Sequence, residues 1–456
     1  MSFNKNFYWG ASTSAFQIEG GKQLDGKGLS TVDTRKVKSG IADTSITSDF
    51  YHHWREDISL MKELGINSFR MSISWSRILP EGNGNINLTG LKFYDQVIDC
   101  LLENNIEPIV TINHFDMPVA LIKQYNGWIS RKSIGDFANY AQILFKHFGD
   151  RVKTWLTINE PLMLMYNPGY NGSHYNNPDD TTQTNFIILH HILLAEKYAF
   201  KLCHQIVKFS KIAPVSAFQN VYPLSTNYED ISASMTAESI LSYWALDVAI
   251  KGHYPIETFE MLKKLNLAPI VSHADENIFC MDYPDFIAFN YYSSIHAGKH
   301  QPQNNFIPPF YKFPLFSVNM GEERKTDKWS AMESDANGLI MSARKLYNRY
   351  HLELMVTENG YADTQTPDES GQIDDQERIN YLRDHINACK QIVDLDISLL
   401  GYFVWSFIDS LSGREGFSKR YGLVYVNRTD QDLYDLKRIP KKSFYWYKNF
   451  IKTQNV

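Results

Sequence analysis

Two glutamates in this sequence have the setting that acid chemistry needs. Glu160 lies in Thr157-Ile158-Asn159-Glu160-Pro161, and Glu358 lies in Leu354-Met355-Val356-Thr357-Glu358-Asn359-Gly360. Each follows a short apolar run, Thr154-Trp155-Leu156 in the first case, that reads as a buried strand. Pro161 ends the first pattern, because proline donates no ladder bond and is excluded from most helix interiors. An acid at the C-terminal lip of a strand, where the chain turns away, points its carboxylate into a mouth. Either motif alone is equally compatible with a Glu that caps the next loop or helix. Together they predict a facing pair of carboxylates, and such pairs cut glycosidic bonds.

Eight strands can be read to position these groups. They are Phe7 to Ser12, Asn67 to Trp75, Glu107 to His114, the run into Glu160, Lys211 to Val215, Asp285 to Tyr292, the run into Glu358, and Ser398 to Trp405. Helical patterns alternate with them. One covers 50–64 and stops at Gly65, a C-cap residue. Leu91, Tyr94, Val97, Ile98, Leu101 and Leu102 form an apolar stripe, as do Ile134, Phe137, Ala138, Ala141, Phe145 and Phe148. Further helices are expected over about 184–209, 235–264, 336–350 and 375–394; only the eighth strand has no clear helical pattern after it. Near-continuous apolar strands between amphipathic helices imply a parallel sheet covered on both faces. Eight such units predict an α/β fold, a single (β/α)8 TIM barrel occupying 1–456 as one domain, with long loops at its C-terminal face. No GxGxxG follows the first strand and no GxxxxGK[ST] occurs, so a nucleotide-binding fold has little support. A proline- and aromatic-rich insertion, about 294–331, follows the sixth strand and reads as a functional loop.

Barrel enzymes build their sites at the C-terminal strand ends. Those ends here carry Gln17, Arg70, His114, Asn159 with Glu160, Asn290 with Tyr292, Glu358, and Trp405. These are the types a sugar site needs: amides and imidazole for hydroxyls, indole for the apolar ring face, carboxylates for the chemistry. Singly, Arg70 could hold a structural ion pair, His114 could be a core histidine and Trp405 could be core; their common location favours a site.

The chain resembles family 1 glycoside hydrolases from end to end. The resemblance rests on Phe16-Gln17-Ile18-Glu19-Gly20, Phe69 to Trp75, Thr157 to Pro161, Asn290-Tyr291-Tyr292 and Thr357-Glu358-Asn359-Gly360. It implies Glu160 as acid/base, Glu358 as nucleophile, a retaining mechanism, and no metal or organic cofactor. Where family members acting on plain sugars carry Glu-Trp, this chain has Ser412-Gly413. A carboxylate there would repel a sugar 6-phosphate. The phospho-glycosidase branch is similar in having Ser, Lys seven residues on, and Tyr two further, which fall on Ser412, Lys419 and Tyr421. Lys supplies a point charge and the hydroxyls neutral donors. Lys419-Arg420 could also be a solvated basic turn. Gly413 stands where the phospho-galactosidases carry Trp, which points to a 6-phospho-β-glucoside as substrate. A 6-phospho-β-galactosidase, a dual-specificity enzyme, a plain β-glucosidase and an inactive sugar-binding barrel remain the alternatives.

The bulk composition agrees with a small-molecule partner. Net charge is −6, from 45 basic and 51 acidic residues, so no general field attracts nucleic acid and an anionic ligand needs a local positive cluster. The cysteines Cys100, Cys203, Cys280 and Cys389 show no metal spacing and read as buried free thiols of a reducing compartment. No apolar run approaches membrane-spanning length, and Met1-Ser2-Phe3-Asn4-Lys5 does not begin a secretory leader. A soluble cytoplasmic protein is the expectation, and oligomeric state stays open.

Overall fold

The eight apolar runs form one closed parallel barrel in the computed structural model, which describes residues 3–166, 182–299, 315–319 and 334–454. Its strands are β1 (Tyr8–Ser12), β2 (Ser68–Ser72), β3 (Glu107–Asn113), β4 (Thr154–Asn159), β5 (Lys211–Ala217), β6 (Ile287–Asn290), β7 (Leu354–Asn359) and β8 (Leu399–Trp405). Consecutive strands pair, and β1 closes the ring by pairing with β8, Ser12 opposite Trp405. Helices follow in turn: α1 (Phe50–Leu64), α2 (Leu88–Glu103), α3 (Lys132–Phe148), α4 (Thr182–Ile206), α5 (Trp244–Lys251), α6 (Ala336–Tyr350), α7 (Gln376–Asp394) and α8 (Lys442–Gln454).

Packing explains the pattern. α2 buries Leu91, Tyr94, Val97, Ile98 and Leu101, and α3 buries Ile134, Phe137, Ala141, Phe145 and Phe148, the stripes read from the sequence. The strands are buried on both faces, so they read as continuous apolar runs. Inside the barrel, Ile109, Leu156, Val215, Phe286, Met355 and Phe403 fill a separate core below the strand ends. Gly65 closes α1 at φ +85°, its N–H donating to the carbonyls of Met61 and Lys62.

Several expectations need correction. Pro161 does not merely end a pattern; it is the first residue of the short helix Pro161–Tyr166, where its fixed φ fits and no N–H is needed. The sixth strand is Ile287–Asn290, shorter than expected, so Tyr291 and Tyr292 lie just beyond it. The insertion after it is not all loop: Ser294–Gly298 pairs with Asn220–Pro223 and with Ser317–Asn319 in a small sheet. Phe316 is buried there, while Pro302, Phe306, Pro308, Pro309, Phe310, Tyr311, Phe313 and Pro314 lie outside the described residues. The eighth strand does acquire its helix, α8, after a hairpin of Val424–Val426 with Arg438–Pro440. All four cysteines are free, but only Cys203 and Cys389 are buried; Cys100 is half-buried and Cys280 exposed. Among the described residues no helix is long and apolar enough to cross a membrane.

Candidate active site

At both glutamates the strand ladder falls out of step. The β4–β5 register shifts between Leu156 and Asn159, and the β7–β6 register shifts before Glu358, which sits opposite Asn290. Such irregularities re-aim side chains that would otherwise alternate. Glu160 itself has φ +46°, a left-handed conformation that costs a side-chain-bearing residue energy. Its N–H donates to the Val215 carbonyl at 3.0 Å, which holds the turn onto β5. Beyond Glu358, Gly360 passes so close to Trp405 that a Cβ would lie 1.8 Å from its carbonyl oxygen, so only glycine fits.

Arg70 organises the centre. It is fully buried, and its guanidinium donates to Glu358 Oε1, to Asn159 Oδ1 at 2.7 Å and, through Nε, to Thr111 Oγ1 at 3.0 Å. Tyr292 donates its hydroxyl to Glu358 Oε2 at 2.8 Å, so both carboxylate oxygens have a donor. Glu160 has a weaker partner: Asn290 Nδ2 donates to its Oε1 at 2.8 Å, and Thr357 Oγ1 orients that amide by donating to Asn290 Oδ1 at 2.8 Å. Burial, followed by the charge of Glu358, pushes Glu160 up to about 7. Burial also raises Glu358, but the Arg70 guanidinium and the Tyr292 hydroxyl oppose it. In the pair, Glu358 is therefore the group that ionises first and Glu160 the one that keeps a proton. One acid and one carboxylate that feel each other's charge and share Arg70 as a neighbour match what glycoside cleavage requires.

The sugar-binding candidates surround this pair. His114 Nε2 lies 3.1 Å from Asn159 Nδ2, which donates to it and leaves the proton on Nδ1. Burial, then Arg70, holds His114 well below the usual imidazole range, so it is neutral. Its Nδ1 is buried and has no hydrogen-bond partner among the described residues. The Trp405 ring stacks on His114 with centroids 5.8 Å apart. Gln17 accepts from Ser14 Oγ at 2.6 Å and donates to the Leu411 carbonyl at 2.9 Å, tying the end of β1 to the loop after β8.

That loop is only partly as expected. Tyr421 meets Tyr292, the residue bonded to Glu358, edge-on at 6.3 Å, and Lys419 Nζ lies 5.6 Å over the Tyr421 ring. Arg420 is not a solvated basic residue; it is 4% exposed and paired with Asp409 at 2.8 Å. Ser412 brings a correction. Position 412 holds no acid, yet Ser412 Oγ donates to Glu415 Oε2 at 2.6 Å, so a carboxylate reaches the spot from three residues on.

Residues 1–456 match the family model for glycosyl hydrolase family 1. The chain belongs to that family. It is 38% identical to aryl-phospho-β-D-glucosidase BglC of Bacillus subtilis (strain 168), covering 99% of this chain and 98% of that protein. It is 37% identical to β-glucosidase A of Thermotoga maritima over 100% of this chain and 98% of that one. The solved structure of the family 1 β-glucosidase from Thermotoga maritima superposes with a TM-score of 0.89 at 34% identity, covering 99% of this chain and 98% of that one.

In this family 1 glycosyl hydrolase some supporting residues carried no signal in the sequence. Thr357 lay within a motif already singled out, but its role follows only from its bond to Asn290. Thr111 faces Arg70 from a neighbouring strand. Tyr381, on α7, accepts from Asn359 Nδ2 at 2.9 Å and donates to the Tyr292 carbonyl at 3.1 Å. It thereby braces both neighbours of Glu358 from outside the barrel.

Proposed function

We propose that this family 1 glycosyl hydrolase is a retaining 6-phospho-β-glucosidase. The observation that carries the hydrolytic reading is the unequal environment of the two buried glutamates, with Arg70 and Tyr292 on Glu358 and a lone amide on Glu160. Glu358, ionised, attacks the anomeric carbon from the α face while Glu160 gives its proton to the departing glycosidic oxygen. The covalent glycosyl–Glu358 ester is then attacked by water, which Glu160, now a carboxylate, deprotonates. The sugar leaves with its original β configuration. His114 Nδ1–H, Gln17, Asn159 and Asn290 orient hydroxyls, and Trp405 covers the apolar ring face.

The phosphate assignment rests on a different set: Ser412 where plain-sugar enzymes would place an acid, Lys419 as charge, and Tyr421 as a neutral donor beside Tyr292. It is supported by the name of the 38%-identical relative, an aryl-phospho-β-D-glucosidase. Gly413 stands where the resemblance places a Trp near the axial 4-hydroxyl in phospho-galactosidases, and without that contact nothing at this position selects the galacto sugar, which favours gluco. A second reading, a plain β-glucosidase, is favoured by the Glu415 carboxylate at Ser412 and by the 37%-identical β-glucosidase A. The deciding experiment compares kcat/KM on nitrophenyl β-glucoside with and without a 6-phosphate. Higher kcat/KM on the phosphorylated substrate is expected; preference for the plain sugar refutes the phosphate assignment.

A further inference from the structure

Ser412 Oγ is the hydroxyl assigned above to the sugar phosphate, and in this structure it already donates to an anion. The acceptor is Glu415 Oε2, at 2.6 Å. The Glu415 N–H in turn approaches Ser412 Oγ at 3.4 Å, and Ser412 and Gly416 exchange both backbone bonds, at 3.2 and 3.1 Å. Ser418 Oγ donates to the Glu415 carbonyl. The backbone of residue 415 is therefore held on both sides, whereas its carboxylate is fixed by this side-chain bond and is partly exposed. Between residues 410 and 421 Glu415 is also the single acid, set among Arg414, Lys419 and Arg420. Arg420 is committed to Asp409, so it does not offset Glu415.

We infer that Glu415 is a specificity-determining residue, an internal carboxylate that competes with the sugar 6-phosphate for Ser412. This rests on the phosphate assignment proposed above. A phosphate oxygen accepting from Ser412 Oγ would stand beside the Glu415 carboxylate, and two anions sharing one small donor repel. The phosphorylated sugar binds only as Glu415 rotates off Ser412 toward solvent. With Glu415 in place, the same spot presents an acceptor suited to an uncharged 6-hydroxyl. Rotation about side-chain torsions alone makes the exchange, because the backbone turn does not need to move. The loop thus carries both a phosphate site and its own brake, and the strength of that brake sets the preference between the two sugars.

The test measures kcat/KM of wild type, Glu415→Gln and Glu415→Ala on nitrophenyl 6-phospho-β-glucoside and nitrophenyl β-glucoside, with the inhibition constant of glucose 6-phosphate. Glu415→Gln removes the charge and keeps the shape. It should raise the phospho-to-plain ratio about fivefold, the size of one like-charge contact at a half-exposed site, chiefly through KM. Glucose 6-phosphate should inhibit that variant correspondingly more tightly. In a Ser412→Ala background the gain should vanish, since the two groups act through one bond. An unchanged or lowered ratio in both variants, with wild type active on the phosphorylated substrate, overturns the inference and leaves the phosphate assignment standing. Activity on the plain glucoside with no turnover of the phosphorylated one in any variant overturns both.

Discussion

Tyr292→Phe is the cleanest perturbation of the catalytic pair. It deletes one oxygen and changes no packing: the ring still meets Tyr421 edge-on, and the Tyr292 carbonyl still accepts from Tyr381. The deleted hydroxyl donates to Glu358 Oε2 at 2.8 Å, a bond that favours the ionised carboxylate and opposes the upward push of burial. Hydrogen bonds to charged groups contribute about 1.5–3 kcal/mol, and one pKa unit corresponds to about 1.4 kcal/mol. Glu358 in the variant should therefore titrate higher, its ionised form having lost that contribution. The sign follows directly: an acid whose charged form loses a donor holds its proton to higher pH. The profile of kcat/KM against pH reports the free enzyme, which is the state described by these contacts. Its acidic limb, set by Glu358, should move to higher pH, with kcat/KM at a given pH on that limb falling about 10- to 100-fold. The basic limb, where Glu160 loses its proton as pH rises through about 7, should move far less. The bell narrows from its acidic side and its peak falls. An acidic limb that stays in place or moves to lower pH, in a variant with unchanged thermal stability, would refute the assignment of Glu358 as the group that must be ionised.

The remaining tests address each role separately. Glu160→Ala should slow alkyl glycosides far more than nitrophenyl glycosides, since only a poor leaving group needs the proton; equal losses would remove Glu160 from that role. Proton NMR of an early hydrolysate should show the β anomer first, and α first would exclude double displacement. Lys419→Met should lower the ratio of kcat/KM on phosphorylated over plain nitrophenyl glucoside by about 10- to 100-fold, the loss of one charge-assisted contact. A ratio that does not change would mean that Lys419 does not read the phosphate.

The barrel was legible because its strands are buried on both faces, so most appear as near-continuous apolar runs such as Thr154 to Ile158. The two glutamates were legible as a pair: one charge ending such a run could cap the next element, but two of the same design point to facing carboxylates. What escaped reading depends on contacts between distant segments. Tyr381 looks like one more residue of an amphipathic helix, and only the closed barrel shows its hydroxyl reaching Asn359 and the Tyr292 carbonyl. The pairing of 220–223 with 294–298 and 317–319 is likewise a tertiary choice, made in short segments without strong alternation. Pro161 was read as the end of the strand pattern, which it is, but proline also begins helices, and the helix it opens is decided by the residues of the next turn. Ser412 and Glu415 mark a further limit. Substitution of the acid at 412 removes a charge from the sequence position, but charge acts through space, and three residues of turn return one to the same hydroxyl. The groups assigned to the chemistry stand at the ends of paired strands, whereas those proposed to read substrate charge, Ser412, Lys419 and Tyr421, stand on the loop after β8, where one side-chain contact such as that from Glu415 changes the local charge without changing the fold.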